Sequence, residues 1–398
     1  MPAHLDVAGL GSLTRLAAGG QGVVFRAPGV RMQYAASLVF KQYKPGVAGS
    51  LDAAVLESMP AYLESLPFAE GMELLSLAAW PCRLVDAGGR VAGFVMPAIP
   101  DGFFVQMRKS SGVSLEAAEF QHLLNDESFL ARRQIGLTDR RRYELLREAA
   151  RALSVFHRHG IAVGDLSPKN LLFAYQPEPA VYFIDCDAMR FHGRSVMPQV
   201  ETPGWEVRAV SPHEELATSG SDAYKLGLLA LRLLAGSQDA RDPARLPRTV
   251  PAPVRQLITA ALSTDPARRP RPADWIAPLD TATLSASTQP PQASGTGRAL
   301  NSSPVGSLLN ANVRRPAATA QKPVQAAFQQ VASRTSSSVG TARTTSATRI
   351  PSTARTSGTG RAPSTRRPNG LALFVILGLV TLAFIIAGFV ILAHGGGY

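Results

Sequence analysis

The sequence predicts an α+β chain in which a small β-rich part precedes a larger helical part, followed by a linker and one membrane-spanning helix. Three observations carry this expectation. Short apolar runs bounded by turn residues fall at 23–25, 38–40 and 91–96, within the first hundred positions. Helical spacing takes over later: Tyr143, Leu145, Leu146, Ala149, Ala150, Leu153 and Phe156 recur on one face of 139–157, and 224–234 is apolar apart from Lys225 and Arg232. Residues 371–393 run for 23 positions without a charge. As a helix they would measure about 34 Å, enough to cross a bilayer with slight tilt.

A chain of 398 residues can hold a domain with a full core plus an appendage. Its net charge of +12 belongs to that appendage. No acidic residue follows Asp280, while eleven Lys and Arg lie between Arg298 and Arg367, so the first 280 residues hold 30 basic against 29 acidic side chains. The high pI therefore implies no nucleic-acid partner. Cys82 and Cys186 offer neither a disulfide framework nor zinc spacing, which suits a reducing compartment. The N-terminus lacks a basic start followed by a long apolar run, which argues against a cleaved signal peptide.

Residues 285–369 are rich in Ser, Thr, Pro, Ala and Arg and poor in aromatics, so a disordered linker is expected there. As a flexible coil it would span about 50 Å. Its arginines would favour an anionic inner leaflet by about 1 kcal/mol for each one near the surface. Arg361, Arg366 and Arg367 precede the apolar segment and nothing basic follows it. The positive-inside rule then makes this a single-pass cell-membrane protein, its N-terminal part cytoplasmic and 394–398 outside.

Two loops hold the chemistry. Gly164-Asp165-Leu166-Ser167-Pro168-Lys169-Asn170 is followed, fifteen residues after Asn170, by Asp185-Cys186-Asp187 at the end of an apolar strand. An aspartate that can face a hydroxyl, with an asparagine and an aspartate that can hold Mg²⁺, are the parts phosphoryl transfer needs. Upstream lie a glycine-rich segment, Ala17-Ala18-Gly19-Gly20-Gln21-Gly22-Val23-Val24, and the strand Leu38-Val39-Phe40 ending in Lys41. In this order and spacing the motifs closely resemble those of the protein-kinase family, in particular bacterial membrane-anchored Ser/Thr kinases, over about residues 13–278. The resemblance implies a two-lobed protein-kinase-like fold with a small β-rich lobe, a larger helical lobe, and MgATP as cofactor.

Residue by residue, the resemblance implies these roles. Gly19, Gly20 and Gly22, with Val24, cover the ATP phosphates; the family's first glycine is replaced here by Ala17. Lys41 contacts the α- and β-phosphates and pairs with a helix glutamate, Glu64 or Glu57, with Pro60 between them a possible helix breaker. Phe94 to Ala98, including Met96, borders the adenine pocket. Asp165 takes or orients the proton of the attacking hydroxyl. Asn170 and Asp185 ligate Mg²⁺, with Asp187 an alternative to Asp185.

The usual His-Arg before the catalytic aspartate is Val163-Gly164, and the lysine two residues after it is Ser167, leaving Lys169 to steady the γ-phosphate. Without that arginine a loop phosphate has no partner, and Ser195 is the one hydroxyl residue from 188 to 201. Activity independent of activation-loop phosphorylation is therefore expected. Thr202-Pro203-Gly204-Trp205-Glu206 resembles the end of that segment, its seating glutamate Glu206 or Glu214. Asp222 and Arg269 match structural motifs of the large lobe. His157, His159 and His192 lack ligand spacing and read as structural. The expected substrates are protein Ser and Thr hydroxyls, the chain's own tail among them. A partner-recruiting pseudokinase and a small-molecule phosphotransferase are the alternatives.

Overall fold

The structure is a computed structural model that describes residues 4–33, 35, 37–109, 112–208 and 214–289. All of these fall in one compact unit, Met1–Val339. The expected span at 371–393, the outer residues 394–398 and nearly all of the linker lie outside the described residues. No helix among the described residues is long and apolar enough to cross a membrane.

The N-terminal part is a sheet of β1 (Leu5–Asp6), β2 (Thr14–Ala18), β3 (Gly22–Arg26), β4 (Leu38–Tyr43), then, after three helices, β5 (Arg83–Ala87) and β6 (Arg90–Pro97). Its order is β1-β5-β6-β4-β3-β2, with β1 parallel to β5 and the other pairs antiparallel. Strand β4 lies inside the sheet and is buried on both faces, which is why it reads as a continuous apolar run. Alternation splits its side chains. Phe40 joins Leu10, Val85 and Val95 on the outer face, whereas Val39 and Tyr43 enter the main core, and Lys41 shares their face.

Between β4 and β5 lie α1 (Pro45–Ala48), α2 (Ala53–Ser65) and α3 (Phe68–Leu77). Asp52 caps α2 by accepting the Val55 N–H at 3.1 Å. The helix continues through Pro60, contrary to the expected break, because Val55, Leu56, Met59, Pro60 and Leu63 form one buried face that outweighs the lost backbone bond. Trp80, fully buried, donates its indole N–H to the Met59 carbonyl at 3.0 Å, a packing role.

After β6 come an unforeseen hairpin, β7 (Phe104–Lys109) and β8 (Gly112–Ala117), then α4 (Glu127–Arg133) and α5 (Asp139–Arg158). The short strands β9 (Ile161–Ala162), β10 (Leu171–Ala174), β11 (Ala180–Phe183), β12 (Arg190–Phe191) and β13 (Arg194–Ser195) follow, and α6 (Ser219–Ala235), α7 (Ala252–Ala261) and α8 (Ile276–Ser285) complete the helical part. Helix α5 buries the apolar stripe seen in its sequence. A Thr218–Ser221 capping box starts α6, and this helix is buried from Ser221 to Leu234. The described chain is thus mixed α and β, β-rich first and helical later, compatible with a kinase-like fold.

Candidate active site

The loop after β9 is built on α6. The buried Asp222 carboxylate accepts the backbone N–H groups of Val163 and Gly164, each at 2.8 Å, and faces the His157 ring at 2.9 Å. The Gly164 carbonyl accepts from the Lys225 ammonium at 2.7 Å. Gly164 has φ +70°, and a Cβ there would stand 2.7 Å from both the Ala217 Cβ and the Gln199 Oε1. This position therefore has no room for the arginine of the family pattern. The next residue, Asp165, accepts from the Thr202 N–H at 3.0 Å and the Thr202 hydroxyl at 2.8 Å, while the Asn170 amide donates to its carboxylate at 3.1 Å.

The second loop is tied to the first. Ile184 donates its N–H to the Asn170 carbonyl at 3.0 Å, and the Ala79 N–H, just past α3, bonds the Phe183 carbonyl at 2.9 Å. Asp185 then adopts φ +58° and opens a one-turn 3₁₀ helix, Cys186–Ala188. That turn sends the two carboxylates apart: the Asp185 side chain is 51% exposed, the Asp187 side chain 0%.

Lys41 reaches both. Its ammonium lies 2.6 and 2.9 Å from the Asp187 oxygens, 3.3 Å from Asp185 and 3.2 Å from the Gln21 amide oxygen. Burial pulls the Lys41 pKa down, but the Asp187 and Asp185 charges outweigh it and hold it above the ordinary lysine value. The Tyr43 hydroxyl donates to Asp187 at 2.8 Å, and burial together with that carboxylate pushes its pKa far up, so it stays a donor. A cleft of about 270 Å³ opens over this group, lined by Gly19, Gly20, Gln21, Gly22, Val24, Lys41 and Asp185. Gly22 is required by close approach: a Cβ there would lie 2.5 Å from the Gln42 carbonyl oxygen.

Lys41, Asp165, Asn170 and Asp185 are therefore connected through hydrogen bonds, and the glycine hairpin closes over Lys41 and Asp185. Met96 is buried in β6, opposite Val39. Lys169 is exposed, with no hydrogen bond to Asp165, Asn170 or Asp185. One pairing is corrected. Glu64 bonds Arg83 at 3.2 Å and Glu57 bonds His4 at 3.3 Å, so neither α2 glutamate reaches Lys41. The buried face of α2 points those side chains outward, and Asp187 takes the ammonium instead. Asp187 is without exposure, and its oxygens are taken by Lys41 and Tyr43.

Three participants escaped sequence reasoning. Tyr43 holds Asp187. Glu201 lies 2.8 Å from the buried Lys225 and also accepts the Val207 N–H at 3.2 Å. Gln199 bonds the Ala188 carbonyl at 2.8 Å and the Ser195 hydroxyl at 3.0 Å. The seating glutamate is Glu214, whose carboxylate makes a two-point bond to Arg269 at 2.5 and 2.9 Å; Glu206 pairs with Arg241. His159 bonds the Tyr62 hydroxyl at 2.8 Å and His192 stacks edge-on against the same ring, both structural.

The donor set suits Mg²⁺. No cluster of three His, Cys, Asp or Glu side chains able to hold a metal is present among the described residues. Mg²⁺ does not need one, since it binds through one or two protein oxygens together with phosphates and water. Asp185 offers an exposed carboxylate, and the Asn170 amide nitrogen is turned to Asp165, leaving its side-chain oxygen for a cation.

No known protein-family profile matches the chain. Over 143 residues it is 27% identical to a Corynebacterium efficiens protein named as a serine/threonine-protein kinase, covering 32% of this chain and 27% of that protein. The chain thus spans well under half the length of that curated relative, and the likeness supports a kinase-like relationship.

Proposed function

We propose that residues 13–278 form a two-lobed protein-kinase-like catalytic domain that transfers the γ-phosphate of MgATP to protein Ser and Thr hydroxyls. The observation that carries this is the hydrogen-bonded path from Asp165 through Asn170 to the strand end at Asp185, with Lys41 on Asp185 under the glycine hairpin. Lys41 binds phosphate oxygens, the backbone of 19–22 encloses them, and Asp185 with Asn170 holds Mg²⁺. When bound, the metal offsets negative charge on the phosphates. Asp165 accepts the proton of the attacking hydroxyl, the incoming group taking the hydrogen bond that Thr202 now makes. Lys169, exposed beside this loop, steadies the γ-phosphate.

Activity is independent of loop phosphorylation because Glu201 already supplies a carboxylate that joins this segment to Lys225, and Lys225 holds the Gly164 carbonyl. Arg269 on Glu214 supports a protein-kinase segment over a small-molecule phosphotransferase. The uncharged run 371–393, preceded by arginines, anchors the domain at the cytoplasmic face of the cell membrane, where the Ser/Thr-rich tail is a substrate within reach. A nucleotide-binding pseudokinase is the second reading, favoured by the Asp165 oxygens already accepting from Thr202 and Asn170. The test is ADP formation by the full-length chain in detergent, with Asp185→Asn beside it. Mg²⁺-dependent turnover lost in the variant supports the kinase; MgATP binding without turnover supports the pseudokinase.

A further inference from the structure

Lys41 lines the cleft, and its buried partner, Asp187, is not on α2 or α3. Helix α2 places Glu64 on Arg83 and Glu57 on His4, and both carboxylates stay more than a third exposed or close to it, at 38% and 34%. In α3, Glu73 faces Arg151 and Arg158. No acidic side chain from α2 or α3 bonds Lys41 among the described residues.

Asp187 has instead the features of a built-in anchor. It is fully buried, and a carboxylate in that condition persists only when its oxygens are satisfied. Two bonds come from Lys41 and one from the Tyr43 hydroxyl. Lys41 and Tyr43 are alternate residues of β4 and project from the same face, so one strand grips Asp187 at two points. The left-handed turn at Asp185 fixes the geometry from the other side. It directs one carboxylate to the open cleft and the next-but-one into the core.

We propose that Asp187, held by Tyr43, is the positioning residue for Lys41, so that the metal-binding loop itself sets the phosphate-binding cation and helix α2 does not. Asp187 is fully buried below the cleft and acts through Lys41. Displacement of α2 therefore has no direct lever on Lys41. The inference rests on reading the cleft as a phosphate site.

The test is steady-state kinetics and nucleotide binding on the full-length chain with Asp187→Asn, Tyr43→Phe, Glu64→Gln and Glu57→Gln, each checked by thermal melting. Asp187→Asn is expected to lower kcat by about tenfold or more while weakening ATP binding by about threefold, and Tyr43→Phe to lower kcat by about threefold with a smaller loss of binding. The two α2 variants should stay within about twofold of the parent. Tyr43→Phe keeps the ring that packs on Phe94, so it decides the matter if Asp187→Asn fails to fold. Parental kcat in the folded Asp187 and Tyr43 variants, or an equal loss in an α2 variant, overturns the inference. A parent that binds MgATP without turnover removes the kinase reading alone; the inference then requires weaker nucleotide binding in Asp187→Asn and Tyr43→Phe but not in Glu64→Gln. A parent that binds no nucleotide overturns both.

Discussion

Lys225→Met removes the cation that joins the segment after Asp185 to the loop carrying Asp165. The Lys225 side chain is 1% exposed and Glu201 16%, so the pair is nearly dry. Methionine fills most of the lysine stem, which limits the cavity contribution. Two acceptors then lose their donor: the Glu201 carboxylate, which keeps only the Val207 N–H, and the Gly164 carbonyl. An unsatisfied buried acceptor costs about 1–3 kcal/mol, and breaking a buried pair from one side about 3–5 kcal/mol. Because Glu201 retains some water contact, the low end applies, about 3 kcal/mol. Glu201→Gln still accepts from Lys225, so its cost should be about 1 kcal/mol.

The double variant should cost less than the sum of the singles by about 1–2 kcal/mol, since Glu201→Gln leaves no charge to strand. Guanidinium denaturation followed by fluorescence of the buried Trp80, Trp205 and Trp275 reads all three variants. A Lys225→Met cost below about 1 kcal/mol, or strict additivity, would refute the reasoning.

Three further outcomes follow from the same geometry. Gly164→Ala combines a left-handed backbone, about 1–2 kcal/mol, with overpacking against Ala217 and Gln199, about 1–3 kcal/mol, and denaturation should show at least 2 kcal/mol of loss; a change under about 0.5 kcal/mol contradicts the contact. His4 has its pKa raised above 6.5 chiefly by its hydrogen bond to Asp86, so its contribution is complete below pH 6.5 and fades as pH rises through the raised value. His4→Ala should then cost up to about 1 kcal/mol at acid pH and little at alkaline pH; equal costs at both ends would rule out the charged pair. Ser195→Ala should keep parental turnover, because among the described residues the Ser195 hydroxyl accepts a bond from Gln199 and makes none with Lys41, Asp165 or Asp185; abolished turnover would restore a role for its phosphorylation.

What the sequence made legible was local. The Asp165–Asn170–Asp185 spacing, the strand carrying Lys41, the stripe of α5 and the apolar run of α6 each reside in one short window and lie in a loop, strand or helix as expected, although β4 runs past the expected end at Lys41 to Tyr43. The Lys41 partner was not legible, because Lys41 and Asp187 are 146 positions apart and their meeting depends on a left-handed turn at a non-glycine residue. Pro60 misled for a similar reason: local propensity argues for a break, while the buried face of α2 decides otherwise. The β7–β8 hairpin shows no clean alternation, since most of its side chains are only partly buried. Glu201 reads as one acid in a polar stretch until α6 places Lys225 beside it.

The activity proposed for this cleft is transfer of phosphate to a hydroxyl. The most direct measurement follows γ-labelled ATP into acid-stable phosphoserine and phosphothreonine, on a protein substrate and on the chain itself, with Asp165→Asn in parallel. Label on those residues from the parent, with Mg²⁺ required and the variant silent, is the result expected. Labelling that persists undiminished in Asp165→Asn, or label that never leaves ATP despite tight MgATP binding by the parent, would contradict it.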